Sequence, residues 1–171
     1  QHQTARNLRL SPLHSRLENA GAEFAERMGW ERPRWFNPEN KPTAPELSFE
    51  KPGWHSLHAE EHRAAREAVV LFDQSTFGKL LVQGRDAESV LQRLCANDIS
   101  KADRRVVYTP MLNKHGGYES DLTLMRLDAD SFLLVTGTGQ PVRDKDWICR
   151  NLNHDEFVTV TDVTGAYAVI S

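Results

Sequence analysis

The sequence predicts an α+β domain: helices packed on a mainly antiparallel sheet, preceded by a helix and a Pro-rich linker. Three observations carry this expectation. From Trp54 onward, amphipathic segments of helical period alternate with short runs of strand character. Two of those runs, "VVYTPML" and "SDLTLMRL", flank a glycine-rich turn at His115-Gly116-Gly117, which joins them as a hairpin and so as antiparallel neighbours. Upstream, the stretch from Trp30 to Gly53 carries Pro33, Pro38, Pro42, Pro45 and Pro52 with few apolar repeats, and this density of prolines argues against any regular element.

The elements follow in order. Ser11 is a candidate N-cap and Pro12 fits the first position of a helix, along which Leu13, Leu17, Ala20, Phe24 and Met28 recur at helical spacing until Gly29. In the linker, Trp30, Trp35 and Phe36 are costly to leave in water, so "WERPRWF" is expected to dock on other structure and anchor the linker at one end. "LHAEEHRAAREAVVLF" reads as a helix with Leu57, Ala64, Ala68 and Leu71 on one side. "GKLLVQG" reads as a strand. "DAESVLQRLCAN" is a helix with Asp86 as N-cap and Ala87, Val90, Leu91 and Leu94 inward. After the glycine-rich hairpin come a strand, "SFLLVTG", and a helix starting at Pro141. "FVTVTDV" and "YAVIS" are expected to form a last hairpin around Thr164-Gly165. The chain stops at Ser171 within an apolar strand, which points to a piece of a longer protein.

Composition narrows the function classes. The chain has 171 residues, is 39% hydrophobic and carries a net charge of −3 with both signs interspersed. That balance gives no electrostatic reason to expect nucleic acid or an anionic membrane as partner. No apolar run approaches the ~20 residues that span a bilayer, and the polar start shows no signal peptide. Cys95 and Cys149 are two lone thiols, which suggests a reducing compartment.

Several motifs invite a chemical reading and have a simpler one. His58 and His62 in "HAEEH" match a short inverted zinc-protease pattern, but lie on a helix rich in Glu60, Glu61, Arg63 and Arg66 that reads as a hydrated face, so no metal is expected. "TGTGQP" at 136–141 lacks the third glycine of a dinucleotide fingerprint and reads as a turn entering a helix. Cys95 has no histidine beside it in sequence and reads as a small hydrophobe. Asp121 closes "NKHGGYESD". On residue type alone a turn or surface aspartate is the simpler reading, and a carboxylate at the mouth of a sheet, acting as base or electrostatic partner, is the other.

Taken together, the spaced motifs resemble a known domain. Asp73 and Ser75, Gly84, Asp86 and Ala87, Asn97-Asp98-Ile99, Tyr108-Thr109, and Asn113 through Asp121 follow in the order seen in the folate-binding aminomethyltransferase domain of the glycine cleavage T-protein. Upstream, "PLHSRLENAGAEFAERMGWERPRWF" is similar to the segment joining the flavin and folate parts of dimethylglycine and sarcosine dehydrogenases. The resemblance implies a boundary near residue 53. Residues 1–53 would end the flavin-dependent part, and residues 54–171 would form the N-terminal portion of a truncated folate domain.

The resemblance further implies a function. FAD, bound in an N-terminal domain absent here, oxidises an N-methyl amine to an iminium, and tetrahydrofolate captures the carbon in the C-terminal part. Asp121 matches the aspartate beside the reactive nitrogens, the catalytic and folate-binding position, and Tyr108 matches a tyrosine lining the folate pocket. Ser120 stands where T-proteins often carry a second acid, which fits the dehydrogenase branch and argues against a lipoyl carrier as partner. The implied partners are folate, the amine-derived iminium or formaldehyde, and the flavin domain of the same chain. The implied location is cytoplasmic, or the mitochondrial matrix in a eukaryote. A non-catalytic folate-binding or interaction module of the same fold is the alternative.

Overall fold

The structure, a computed structural model, describes residues 4, 6–41, 49–102 and 106–171. They fall into two compact units, Gln1–Thr76 with Ala168–Ser171, and Phe77–Tyr167. Both are α+β with antiparallel strand pairing, which for the second unit is what the sequence predicts.

In the first unit the long helix expected from Pro12 to Met28 is replaced by a short helix, α1 (His14–Asn19), and a hairpin of β1 (Ala22–Arg27) and β2 (Trp30–Phe36). Two backbone features redirect the chain. Gly21 has φ +84°, and a Cβ there would lie 2.7 Å from the backbone of Pro38. Met28 and Gly29, with φ +53° and +82°, occupy the two-residue connection between Arg27 and its partner Trp30. Left-handed backbone at both positions is the mark of a type I′ turn, whose twist matches that of a hairpin. The expectation that the proline-rich stretch holds no regular element is therefore corrected at its start. Pro33 is tolerated inside β2 because it lies at the register shift opposite Phe24, in a two-stranded sheet. Trp30 and Trp35 are buried, as expected of costly aromatics. The Pro42–Ser48 part of the expected linker lies outside the described residues.

The next helix, α2 (His55–Glu67), is shorter than "LHAEEHRAAREAVVLF" and buries only Leu57; Leu71 lies beyond it and is exposed. The His58 ring packs 4.6 Å from the Trp54 ring, and its Nε2 lies 2.6 Å from the Arg34 carbonyl. Among the described residues no three His, Cys, Asp or Glu side chains are grouped to hold a metal. No helix among them is long and apolar enough to cross a membrane.

The second unit is a five-stranded antiparallel sheet with strand order β4-β5-β6-β3-β7. Its strands are β3 (Gly78–Gln83), β4 (Val106–Leu112), β5 (Tyr118–Asp128), β6 (Ser131–Thr136) and β7 (Thr159–Asp162). Helix α3 (Ala87–Leu94) and helix α4 (Pro141–Arg150) complete it. Alternation along the strands assigns the two faces. Leu80, Val82, Leu122, Leu124, Phe132 and Leu134 are all nearly or fully buried and form one core with Val90, Leu91 and Leu94 of α3 and Ile148 of α4. Of the intervening residues on the opposite face, Asp121 is exposed and Thr123, Met125 and Val135 are half-buried, while Lys79 and Leu133, on β3 and β6, are buried.

Two expectations fail here for identifiable reasons. Asp86 places no side-chain cap on α3; its Oδ2 instead accepts the Phe157 N–H at 2.8 Å and so ties down the segment entering β7. The last hairpin does not form. After β7 the chain turns through a short 3-10 segment, Thr164–Ala166, and Ile170 bridges to Asp73 within the first unit. Thr164 causes this turn: its Oγ1 donates to Asp162 Oδ1 at 2.5 Å and accepts from the Lys79 N–H at 3.0 Å.

Candidate functional site

The turn between β4 and β5 is built around Asn113. Its Oδ1 accepts the N–H groups of His115 and Gly117, each at 3.0 Å, and its Nδ2 donates to Glu119 Oε1 at 2.9 Å. Gly116 has φ +76°, the left-handed backbone that glycine adopts without cost. A bulge then follows. Met111 pairs with Ser120 and Leu112 with Tyr118, which leaves Glu119 as the extra residue of β5. Bulges re-aim side chains, and here Glu119 reaches Arg143 of α4 at 2.8 Å. Ser120 also meets α4: its Oγ donates to Asp144 Oδ2 at 2.9 Å.

Asp121 is left pointing the other way. It is exposed on the face opposite the helices, across from Pro110 in β4. Tyr108 pairs with Thr123 and shares that face. The Tyr108 hydroxyl donates to Asp121 Oδ2 at 2.6 Å, a short bond to a charged acceptor. Asp121 Oδ1 accepts from no group among the described residues. The bond to Asp121 raises the Tyr108 hydroxyl above its ordinary value, so the phenol keeps its proton and stays a donor. The sequence thus names two residues 13 positions apart, and the fold brings their polar ends into contact.

The other motif residues spend their polar groups on the fold. Asn97 Nδ2 donates to the Tyr108 carbonyl at 2.7 Å, and the Asn97 N–H donates to Thr109 Oγ1 at 3.1 Å, which pins the outer edge of β4 beside Tyr108. Asp98 Oδ1 accepts the Ser100 N–H at 3.0 Å. Asp73 Oδ1 accepts the Ser75 N–H at 3.0 Å, and its Oδ2 accepts the Ser11 hydroxyl.

The matched domain extends over most of the chain. Residues 13–171 match the GCVT N-terminal domain. The chain belongs to this family. It is 42% identical over 171 residues to a 4-methylaminobutanoate oxidase (formaldehyde-forming) of Paenarthrobacter nicotinovorans, covering 99% of this chain and 20% of that protein. It is 38% identical over 174 residues to a mitochondrial pyruvate dehydrogenase phosphatase regulatory subunit of Mus musculus, with the same coverage of each. Sarcosine and dimethylglycine dehydrogenases and aminomethyltransferases are also among its relatives. The chain therefore spans about a fifth of the length of the first of these curated relatives. Its fold is that of the glycine cleavage system aminomethyltransferase T from Bartonella henselae, with a TM-score of 0.72 at 24% identity, covering 92% of this chain and 39% of that one. In this GCVT domain the Asn113-to-Asp121 turn is thus a scaffold that directs one carboxylate to the open sheet face.

A concavity of about 650 Å³ lies near the turn and is lined by Arg93, Leu94, Leu112, Lys114 and Trp147, among others. Two of its charged groups are already used: Arg93 holds Glu156 at 2.7 Å and the Asn151 carbonyl at 2.7 Å, and Glu119 holds Asn113 and Arg143. Cys95 also lines it and is buried, with its thiol pushed up to about 12 by desolvation. The thiolate is the reactive form of cysteine. Alkylation of the native protein at pH 8 followed by peptide mapping is therefore expected to modify exposed Cys149 while leaving Cys95 intact. Equal modification of both would contradict the burial of Cys95.

Sequence reasoning missed Asp144. It is 1% exposed, in the first turn of α4, and Thr136 Oγ1 donates to its Oδ2 at 2.5 Å alongside Ser120. Burial pushes its carboxyl above the usual range; the hydroxyls of Thr136 and Ser120 and the Arg143 charge act the other way, and Asp121 adds to the rise. The signal in the sequence was an aspartate among the inward positions of an amphipathic helix, a costly placement unless partnered.

Proposed function

We propose that this domain is the folate-binding, one-carbon-transfer part of a longer flavin-dependent enzyme acting on N-methyl amines of the dimethylglycine or sarcosine type. The observation that carries the reading is the Tyr108–Asp121 pair, exposed on one face of the sheet, with one carboxylate oxygen that accepts from no group among the described residues. Membership of the GCVT family and relatives named as a formaldehyde-forming N-methyl amine oxidase and as sarcosine dehydrogenases support it.

The residues fit a folate. A flat, exposed Tyr108 ring beside a carboxylate acceptor suits a conjugated ring bearing N–H donors. Half-buried Thr123 and Val135 continue the face. Tetrahydrofolate, when bound, supplies a nucleophilic nitrogen. The chain's part is to orient that nitrogen and manage its proton. Asp121 would accept or stabilise the positive charge that develops there, and the Tyr108 hydroxyl would hold the carboxylate in one rotamer. FAD would lie in a separate part of the parent; this sequence carries no Gly-x-Gly-x-x-Gly stretch that would open a helix as a dinucleotide fingerprint.

The test is product partition in the full-length protein. With an N-methyl amine as substrate, saturating tetrahydrofolate is expected to convert released formaldehyde into methylenetetrahydrofolate. Formaldehyde yield independent of folate would refute the reading. A second reading, a folate-binding or interaction module without transfer, is favoured by the similarity to a protein named as a phosphatase regulatory subunit. Folate binding with unchanged formaldehyde yield would support it instead.

A further inference from the structure

Asp121 is exposed, yet the two residues leading to it are tied to helix α4 in a particular way. Arg143 and Asp144, adjacent in the first turn of α4, engage Glu119 and Ser120, adjacent in β5. The Arg143–Glu119 contact is exposed and replaceable by water, so it fixes little on its own. The Asp144 contact differs. Its carboxylate is 1% exposed and accepts on one oxygen, Oδ2, from Ser120 of β5 and Thr136 of β6. Thr136 pairs with Leu122 across the two strands. Asp144 therefore staples the residue before Asp121 and the partner of the residue after it.

We infer that Asp144, acting through Ser120, is a positioning residue for Asp121, fixing the backbone from which that carboxylate projects onto the open face. The inference rests on the proposed role of Asp121. Stability alone does not explain the arrangement. The polar trio of Asp144, Ser120 and Thr136 borders the apolar core that includes Met111, which pairs with Ser120, Leu122, which pairs with Thr136, and Ile148. An apolar trio of the same shape would be as stable or more so, because a buried carboxylate carries a desolvation cost that hydroxyl donors only offset. What two strong hydrogen bonds add is a single register and a fixed backbone direction at one point. A site held to within about 0.5 Å needs such support beneath it.

The experiment compares Asp144→Asn, Ser120→Ala, Asp121→Asn and the double variant Asp144→Asn/Asp121→Asn in the full-length protein, with tetrahydrofolate as acceptor. Asp144→Asn keeps the shape and an oxygen that can accept both hydroxyls, so the fold survives, but it replaces a charged acceptor by a neutral one and weakens both bonds; Ser120→Ala removes the link without touching Asp144. Both single variants are expected to lower the turnover of one-carbon transfer about tenfold, with the KM for tetrahydrofolate changed less than about twofold. In the Asp121→Asn background, Asp144→Asn is expected to cost nothing further, since the group it positions is already gone. Three results would overturn the inference. One is normal transfer in both Asp144→Asn and Ser120→Ala while Asp121→Asn is impaired. Another is a tenfold loss that adds in full to that of Asp121→Asn, the pattern of a merely structural defect. The third is normal transfer in Asp121→Asn itself, which removes the proposed function as well, and so is distinguishable from the other two.

Discussion

Replacing Asp121 with asparagine in the full-length protein is expected to lower one-carbon transfer to tetrahydrofolate by a factor of about 10² to 10⁴, the usual cost of losing a general acid–base group. The substitution keeps size and hydrogen-bonding shape, and the site is exposed, so the fold has no reason to change. Tyr108 loses a charged acceptor and its hydroxyl returns toward its ordinary value, because the bond to Asp121 is the main cause of the rise. Amine oxidation, which the proposed function assigns to a flavin elsewhere in the parent, should proceed as before. The one-carbon unit should then leave as formaldehyde. Both products are measured in one reaction with folate saturating. An unchanged partition would make Asp121 a turn residue and "NKHGGYESD" only a hairpin.

The second large effect concerns stability. Gly84 has φ +140°, and a Cβ there would lie 2.0 Å from the Phe157 carbonyl oxygen and 2.9 Å from its carbon. These are backbone atoms, and the same residue is held from the other side by its N–H bond to Asp86. Neither partner yields without breaking that tie. Gly84→Ala is expected to cost about 3 kcal/mol, from backbone strain together with the displaced segment, or roughly 6–12 °C in the Tm of the domain. Calorimetry checks it, and a melting temperature within about 2 °C of the parent would show that the segment entering β7 moves freely. The motif glycine is thus a close-approach residue, and the loss would be structural and remote from Asp121.

The parts of the fold that were legible in the sequence are those where local chemistry and tertiary packing agree. The β4–β5 hairpin was announced by Gly116-Gly117, and α3 by the spacing of Ala87, Val90, Leu91 and Leu94, all of which are buried. The β1–β2 hairpin was not. Leu13, Leu17, Ala20, Phe24 and Met28 satisfy a helical period, and the turn that overrides it puts a methionine at φ +53°, which no turn rule anticipates. Asp86 looked like a cap because it precedes a helix, but it bonds a residue 71 positions away.

The candidate site divides in the same way. Tyr108 and Asp121 were named through the spaced motifs, and the fold joins them. Asp144 left one trace, its place among the inward positions of α4, but what gives it a role is a contact with Ser120, 24 positions earlier, across the interior of the sheet. Long-range hydrogen bonds between ordinary residue types leave no local trace.

The central claim is that the open face of the sheet, at Tyr108 and Asp121, receives the folate. The most direct measurement is the structure of the full-length protein with tetrahydrofolate bound. The pterin ring is expected against the Tyr108 face, with a ring or linker N–H within hydrogen-bond reach of the Asp121 carboxylate. Folate bound instead in the concavity beside Arg93, Lys114 and Trp147, or elsewhere with Asp121 in solvent, would contradict it.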